Sequence, residues 1–503
     1  MNILDRGIAY FAPSIGLRRV AARNALAQVR HFDGAMVGRR TAGWRATGAS
    51  ANAVTLGALP KLRARSRDAI RNTWWGPRIK SVVVAASVGT GIVPSFSTGN
   101  KSLNKRAKEE FAKWARICDA EGQGNFDSLI GLAVGCMVES GETLARMKPV
   151  KPTARNRVGL ELQLLEPDHL DPHRDRADKG IVIDQGVEYG ADGKRKAFWL
   201  LPSHPGDRHA IRGQSVRVPA DQVMHLYRKE RIGQGRGIPW LAPVLLKGRD
   251  IGDLEEAVVV KARVEACLAA FIKTTDASKV LSERVSRDTD ANGNSRRIET
   301  MSPGMVGYLN PGEDVVTVSP SGSMAFESVL MCNWLALAAG AGITYDQMTG
   351  DLRRANFSST RAGKMEFNRL IEQLQWLTIV PMLLDPILDA FLESAQDAGV
   401  LPRRVGGYPR EWIMPAIPAI EPLKDMQTDI LAVRAGRMTW PQFCFAWGLD
   451  PDKQLDEIES WMKELDRRNI LLESDPRRAA PSVKGAQKDD QSEPARSDDA
   501  ADE

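Results

Sequence analysis

With 503 residues, this chain is long enough for about three folding units, because domains commonly run to roughly 150 residues. Hydrophobic residues make up 43% and charged residues 26%, a composition that supplies a sizeable core and excludes collagen-like and predominantly disordered chains. The formal net charge of +6 is unevenly distributed. Residues 1–80 contain 15 Lys and Arg against 3 Asp and Glu, so the remainder carries a net −6.

Neither a membrane span nor a secretion signal is predicted. The longest apolar stretches, 82–93 and 376–384, are broken by polar residues or proline well short of the roughly 20 residues that a bilayer span needs. Asp5, Arg6 and Pro13 interrupt the start of the chain, so we expect no signal peptide and a protein that stays in the compartment where it is made. The five cysteines are scattered with no CxxC pair, which favours free thiols.

The N-terminal part of the chain is basic and then helical. Residues 1–50 are predicted to be a flexible or partner-ordered arm, whose arginines either contact phosphates and acidic protein surfaces or are simply solvated. Apolar residues recur at helical spacing over 52–86, until Gly89 ends the pattern. Apolar stripes in 103–118 and 126–137 predict two further helices that face a core.

The period of the apolar residues changes to two between Leu160 and Tyr227, which predicts an antiparallel β subdomain. Asp192-Gly193 supplies a hairpin turn between two of its strand-like runs. The candidate strands are LELQLL, IVI, VEY, AFWLL, VRV and HLY.

Two apolar helices bracket a small β segment in the next part of the chain. Helical spacing predicts the first helix over 243–272 and the second over 325–339, the latter ending at glycines. Between them, Pro311-Gly312 suits the centre of a type II turn, so 305–318 is predicted to form a β-hairpin. This bracketed pair is the most informative architectural feature of the sequence.

A polar loop over 344–356 then leads into a long helix, for which the hydroxyl residues 358–360 are the expected N-terminal caps. Pro381 and Pro386 are expected to kink or split that helix. A proline-rich linker precedes a last helical unit. The tail beyond Ser474 has almost no large apolar residues, so it is predicted to be disordered.

Motifs for nucleotide, serine-hydrolase and zinc chemistry are incomplete or missing. Residues 99–102 lack the upstream glycine of a phosphate-binding loop, and the glycine cluster 233–237 has no complete GxGxxG pattern, so we interpret it as a flexible loop. No GxSxG occurs, and Pro172 breaks the helical face that His169 and His173 would need as paired zinc ligands. We therefore expect no catalytic residues, no metal and no cofactor.

One calcium-loop pattern is complete in its spacing. Asp288, Asp290, Asn292 and Glu299 fit D-x-[DN]-x-[DN]-G-x5-E, which places oxygen ligands around a turn. Two arginines beside the proposed cation and a proline in place of the exit helix argue against a calcium site. The competing interpretation is a polar loop with Asx turns.

Seven further segments carry a resemblance in one colinear order between about residue 30 and residue 472. They are LRARSRDAIRN (62–72), GTGIVP (89–94), FDSLIGLAVGCMVESGETLARM (126–147), LQLLEPDHLD (162–171), GQGRGIPWLAPVLLKGRDIGDLEEA (233–257), YDQMTGDLRRANFSSTRAGKMEFNR (345–369) and PLKDMQTDILAVRAGRMTWPQFCFAWGLD (422–450). In these segments the chain resembles the portal proteins of lambda-like tailed phages.

The resemblance implies an α+β phage portal fold with a wing, a two-helix stem, a β-containing clip and an α-helical crown, assembled as a ring. In that scheme the parts are the basic N-terminal arm (1–50), the wing (51–243), stem helix 1 (244–274), the clip (275–322), stem helix 2 (323–342), the channel loop (343–357), the long wing helix (358–398), the crown (399–474) and the disordered tail (475–503).

The resemblance also implies a function. About twelve copies would form a ring at one capsid vertex, through which double-stranded DNA is packaged and ejected. The expected partners are the large terminase subunit, the major capsid protein and head-completion or connector proteins, with no membrane. Such a protein is structural, is located in the virion and is assembled in the host cytoplasm.

A ring turns one arginine per chain into a girdle of charge, and a sparse girdle steers DNA without holding it. We therefore expect Arg353, Arg354 and Asn356 of the channel loop to contact the DNA backbone without sequence specificity, and secondarily Lys261 and Arg263 of stem helix 1. Outward solvation and salt bridges between subunits are the competing interpretations for these residues.

Two other functions stay open from the sequence. Scattered acidic residues and basic patches are compatible with a DNA-processing enzyme of the packaging apparatus, such as a nuclease, although no compact acidic cluster is visible. The pattern at 288–299 is compatible with a calcium-regulated interaction module.

Overall fold

The computed structural model describes residues 46–472 and 475, except 179, 212, 267–269, 274–305, 310–325, 354–355 and 419–420, together with a few positions before 46. Most of the predicted basic arm and nearly all of the predicted disordered tail lie outside the described residues. So do the calcium-loop pattern of Asp288, Asp290, Asn292 and Glu299 and the second strand of the predicted 305–318 hairpin.

Backbone contacts divide the chain into two units. The first consists of Met1–Gly57 and Arg231–Gln234. Within it, the Arg231 N–H donates to Gln234 Oε1 (3.1 Å), and Gly233 adopts a φ of 79° that favours glycine. The second unit consists of Ala58–Glu230 and Gly235–Glu503 and contains every contact discussed below.

Helices are the main regular structure of the described chain and lie on both sides of a central β region. They are α1 (Ala51–Asn72), α2 (Trp75–Val88), α3 (Lys101–Ala115), α4 (Phe126–Ser140), α5 (Leu245–Ala266), α6 (Phe326–Ala341), α7 (Tyr345–Thr349), α8 (Phe357–Leu374), α9 (Asp385–Asp397), α10 (Pro422–Arg434), α11 (Trp440–Ala446) and α12 (Pro451–Arg468). A π-helical segment, Gln375–Leu384, joins α8 to α9.

The strands form four small sheets. They are β1 (Val93–Phe96), β2 (Glu142–Pro149), β3 (Leu160–Leu165), β4 (Arg176–Asp178), β5 (Ile181–Asp184), β6 (Val187–Tyr189), β7 (Arg195–Leu200), β8 (Val216–Pro219), β9 (Val223–Tyr227), β10 (Ala270–Lys273), β11 (Val306–Leu309) and β12 (Arg410–Ile413). The orders β3-β2-β9 and β4-β5-β6-β7-β8 are antiparallel, as is the pair β1-β12, whereas β10 and β11 are parallel. The α+β fold class is thus confirmed.

The predicted β subdomain is confirmed, since all six candidate runs between Leu160 and Tyr227 contain strands. Asp192-Gly193 joins β6 to β7 as predicted, with Gly193 at a φ of 71°. The sequence did not reveal β1, β2, β4, β10 or β12 as strands, and of these β2 lies at the centre of its sheet between β3 and β9. The first residue of β2, Glu142, is a fully buried carboxylate, so the alternation of apolar and polar residues fails there.

Aromatic side chains from three helices form the centre of the main core. The Phe111 ring on α3 lies edge-on to Phe126 of α4 and to Phe391 of α9, with centroids 5.3 Å apart in both pairs. Such pairs add about 0.5–1.5 kcal/mol beyond their buried area. Trp114 joins this cluster and donates its Nε1–H to the Leu160 carbonyl (2.8 Å), which ties α3 to β3. The two predicted core-facing stripes therefore pack against each other.

Two predicted helices have different bounds. The helix expected over 52–86 is interrupted after Asn72, where Thr73 Oγ1 accepts the Gly76 N–H (3.1 Å) and α2 begins. The helix expected over 243–272 ends at Ala266, and Ala270–Lys273 forms β10 beside β11. A short apolar run suits either a helix or a strand, and pairing with a distant strand decides between them.

The long helix begins and continues differently from the prediction. Its N-terminal cap is Asn356 and not one of the hydroxyl residues 358–360. The prolines do not split it: Pro381 lies within the π-helical segment, where the Asp385 N–H bonds to the Val380 carbonyl five residues back. This wider turn accommodates a residue that lacks an N–H and crowds the preceding turn. Pro386 stands in the first turn of α9, where a missing N–H costs little.

Candidate nucleic-acid interface

The helices that bracket the predicted clip, α5 and α6, are fixed to the junction of α1 and α2 by one carboxylate. Glu255 of α5 accepts the indole N–H of Trp334 on α6 at 3.0 Å and that of Trp74 at 3.4 Å. The two indole rings pack edge to face with centroids 6.0 Å apart. Because three elements share one acceptor and one ring contact, the α5–α6 pair has a defined position on the α1–α2 junction.

The segment after α6 is less irregular than a polar loop over 344–356 would be. Thr344 and Gln347 form a reciprocal capping box that starts the short helix α7, and Gly350 ends it at a φ of 71°. From α2, the Arg78 Nε–H donates to the Gln347 carbonyl at 2.7 Å. Among the described residues of the predicted channel loop, the exposed ones therefore begin at Gly350, and the base of the loop is held to the body of the second unit.

Arg353 lies in this exposed part and forms a bidentate ion pair with Asp351. Its Nε–H donates to Asp351 Oδ1 at 2.9 Å and its Nη2–H to Asp351 Oδ2 at 2.8 Å, while its backbone N–H donates to Oδ1 at 3.0 Å. The bonds from Arg353 hold the pKa of Asp351 well below its ordinary value, and Asp351 in turn raises the pKa of Arg353. The Arg353 side chain is nevertheless 85% exposed, so it is accessible to a ligand as one half of an ion pair.

Of the other two channel-loop candidates, Asn356 and Arg354, only Asn356 lies among the described residues. Asn356 is exposed, and its Oδ1 accepts the Ser359 N–H at 2.7 Å, so the side chain caps α8. The cap uses only the oxygen, so the amide N–H groups can still donate to a second partner. Arg354 lies outside the described residues.

Lys261 and Arg263 lie on a different element, in the last two turns of α5. Lys261 is partly buried and Arg263 is exposed. The structure thus groups Asp351, Arg353 and Asn356 on one short loop and places the two stem candidates on the helix that Glu255 anchors. The assignment of all these residues to DNA remains a prediction.

A buried charge cluster is the largest polar feature that the sequence reasoning missed. Glu142 is fully buried at the start of β2, between the guanidinium groups of Arg63 from α1 and Arg236. Arg236 Nε–H donates to Glu142 Oε1 at 2.9 Å, the Gly237 N–H donates to Oε2 at 2.8 Å, and His225 Nε2 lies 2.7 Å from Oε2. The cluster joins α1, β2, β9 and the chain before α5.

The pKa values of this cluster follow from its burial and its charges. Burial alone would raise the pKa of Glu142, but Arg236, Arg63 and the hydrogen bond from His225 outweigh it and hold the pKa well below its ordinary value. Burial lowers the pKa of His225 to about 4, despite the neighbouring carboxylate. His225 is therefore neutral near pH 7 and donates its Nε2 proton to Glu142, and its buried Nδ1 has no hydrogen-bond partner in the described part of the chain.

The glycine cluster 233–237 was interpreted as a flexible loop, and for Gly235–Gly237 that interpretation is wrong. Arg236 is 3% exposed because it reaches Glu142, and it also donates to the Gln185 carbonyl at 2.8 Å. Gly237 lies so close to Gly141 that a Cβ on Gly237 would stand 2.1 Å from the Gly141 carbonyl oxygen. These glycines permit two backbone segments to touch, which no side chain would allow.

A second polar group has the composition of a metal site. Ligand atoms of Glu166, Asp168 and His204 lie within 4.8 Å of one another, and among the described residues this is the one such group of three. However, Arg67 Nη2 lies 2.5 Å from a carboxylate oxygen of both Glu166 and Asp168. The guanidinium already balances their charge, so the group is explained as a surface ion-pair network. In the part of the chain that the structure describes, no helix is long and apolar enough to cross a bilayer.

Comparison with known proteins adds a family match. The family model described as phage portal protein, lambda family, matches residues 37–375. The chain is 25% identical over 432 residues to a probable portal protein of Halomonas phage phiHAP-1, covering 81% of each sequence. It is also similar to chains in solved gene transfer agent (GTA) particles: the neck of the native particle computed with C12 symmetry (17% identity, TM-score 0.42, 78% of this chain and 94% of that chain) and the neck of the empty particle computed with C6 symmetry (15%, 0.43, 80% and 94%).

Proposed function

Because this chain belongs to the lambda family of phage portal proteins, we propose that about twelve copies assemble into a ring at one capsid vertex. Double-stranded DNA passes through the ring during genome packaging and again during ejection. The ring docks the large terminase subunit during packaging and the head-completion and connector proteins afterwards, and it contacts the major capsid protein. Its role is structural, and it is assembled in the host cytoplasm.

The observation that carries the proposal is the family match over 37–375, which extends from before α1 to the end of α8. In the proposed assignment, α1 to β9 belong to the wing, α5 and α6 form the stem, and 343–357 is the channel loop. The long helix from α8 to α9 belongs to the wing, and α10 to α12 form the crown.

Exposed apolar side chains support a ring in which each subunit covers its neighbour. On α5 and α6, Val259, Val260 and Val329 are each close to half exposed, and on the crown helices Leu431 is 63% and Trp461 43% exposed. Within α10 no residue is buried. Burying these side chains against the next subunit contributes about 25 cal/mol for each Å² of apolar surface, which favours closure of the ring.

The charges on the channel loop suit a duplex that must slide. DNA carries one negative charge per roughly 1.7 Å of axis, so a surface dense in free arginines would hold it through many phosphate contacts. The described loop offers Arg353 already paired with Asp351 and Asn356 already used as a cap. Such groups form weak, exchangeable contacts, which a conduit requires.

Electron microscopy of the purified full-length protein in negative stain tests the ring directly. The expected result is closed rings with a central hole wide enough for duplex DNA. Monomers alone at high protein concentration would contradict the assembly. The conduit role is tested by deleting the gene for this protein from the genome that encodes the particle. The expected result is heads without packaged DNA, and normally filled heads would contradict the conduit role.

A nuclease assay separates the structural role from the remaining alternative. Purified rings are incubated with plasmid DNA and magnesium, and the plasmid is expected to remain intact. Cleavage that co-purifies with the rings would favour a DNA-processing enzyme instead.

A further inference from the structure

The ion pair between Asp351 and Arg353 is built into the loop and is more than a chance surface contact. The Asp351 backbone N–H donates to Thr349 Oγ1 at 3.1 Å, and the Tyr345 hydroxyl lies 3.5 Å from Asp351 Oδ2. Asp351 Oδ1 also accepts the backbone N–H of Arg353. The carboxylate is therefore positioned by the end of α7 before it meets the guanidinium, and only 19% of its side chain is exposed.

The geometry of the pair determines what Arg353 can offer a phosphate. An arginine binds phosphate most strongly through two parallel N–H groups on one edge of its fork. In this loop the edge formed by Nε and Nη2 is directed at Asp351. Contact through the other edge stays open, but the nearby carboxylate offsets the positive charge and repels the phosphate.

We infer that Asp351 masks the charge of Arg353 and so weakens the binding of Arg353 to the phosphates of the DNA backbone. This inference rests on the proposed function, because it concerns the loop assigned to the channel. Removing the Asp351 charge raises the formal charge of 350–356 from +1 to +2. In a ring of about twelve chains the channel loops together then gain about twelve positive charges. They bind the phosphates of duplex DNA more tightly, which slows its sliding through the channel.

The test measures binding of a blunt double-stranded DNA fragment to full-length rings by fluorescence anisotropy over a range of salt concentrations. Asp351→Asn keeps an oxygen that can accept the Arg353 N–H, so the turn persists while the ion pair is lost. We expect tighter binding and a slope of log affinity against log salt that is steeper by up to about 0.9 for each newly engaged loop. One such contact corresponds to an extra affinity loss of about 3.5-fold between 50 and 200 mM salt.

Two further variants assign the effect to Arg353. Asp346→Asn makes the same charge change on α7, where the Asp346 carboxylate has no hydrogen bond or ion pair among the described residues, and we expect at most a small effect. Arg353→Gln is expected to weaken binding, and Asp351→Asn is expected to change nothing further in the Arg353→Gln background. Negative-stain images of every variant confirm that rings are intact.

Three outcomes overturn the inference. If Asp346→Asn and Asp351→Asn strengthen DNA binding equally, the cause is a general charge effect. If Asp351→Asn strengthens DNA binding in the Arg353→Gln background, masking of Arg353 is not the cause. If Arg353→Gln weakens binding while Asp351→Asn does not strengthen it, the masking role alone fails. If Arg353→Gln rings bind DNA like the wild type, the assigned DNA contact of the loop fails together with the masking role.

Discussion

Glu142→Gln is the substitution for which the structure predicts the largest loss of stability from a change of very small size. The side chain keeps its shape and loses its charge. The guanidinium groups of Arg63, 6% exposed, and Arg236, 3% exposed, then remain buried without a counter-ion. The amide also presents an N–H group where the carboxylate accepts bonds from Gly237 and His225.

The expected magnitude follows from the number of bonds lost and their burial. Breaking a buried ion pair by removing one partner costs about 3–5 kcal/mol, because the remaining charge stays desolvated. Glu139→Gln is the matched control. Glu139 on the neighbouring helix α4 pairs with Lys80 on α2, and both side chains are partly exposed. A pair of that kind contributes less than about 1 kcal/mol.

Hydrogen exchange of the intact protein is the suitable assay, because a chain with several folding units does not unfold in one step. The amides of β2 and β9 should exchange about 100-fold faster or more in Glu142→Gln, if the opening free energy falls by at least about 3 kcal/mol. Amides of α12 should be unchanged. A difference between Glu142→Gln and Glu139→Gln of less than about 1 kcal/mol would refute the assignment of Glu142 as the charge on which this cluster depends.

The same cluster should make stability depend on pH through His225, which faces Glu142, Arg236, Arg195 and Tyr227. Because its pKa is about 4 when folded and about 6.5 when unfolded, the unfolded chain takes up the proton first, and the free energy of unfolding falls by about 3 kcal/mol from pH 6.5 to pH 4. His225→Gln keeps an N–H toward Glu142 and should flatten this pH profile, followed by hydrogen exchange of β2 and β9 after correction for the intrinsic exchange rate at each pH; an unchanged profile would contradict the assignment. Replacing the cap Asn356 with Ala should cost about 1 kcal/mol in the thermal stability of α8, whereas Asn356→Asp should preserve it; equal losses would contradict capping. Phe391→Ala should cost about 3–5 kcal/mol and lower the melting temperature, and an unaffected melting temperature would show that the aromatic core is not cooperative with the rest.

Several elements could be predicted because their signal is local. Alternation over 160–227 placed six strands, and the stripes in 103–118 and 126–137 placed two helices whose buried faces meet. The order of the seven segments indicated the family that the match over 37–375 shows. Each strand or helix signal is contained within one short stretch of chain, where periodicity alone determines which face is buried.

The bounds of other elements depend on what lies beside them. The run Ala270–Lys273 is apolar enough for a helix, and it is a strand because Val306–Leu309 pairs with it. A proline inside an α-helix usually kinks or ends it. Pro381 instead lies within the π-helical segment Gln375–Leu384, whose buried side chains hold it in the core. Local propensity is worth tenths of a kcal/mol to a few kcal/mol, so tertiary packing overrides it readily.

The sequence by itself determined most of the long helices, six strands of the central β region and the positions of Arg353 and Asn356 on one loop. Only the tertiary structure decided which charges are neutralised. Arg63, Glu142, His225 and Arg236 are far apart in the chain, and no spacing rule connects them. Burial makes a lone charge so costly that its partners must be present, but their identity is set by the fold that brings four distant segments together.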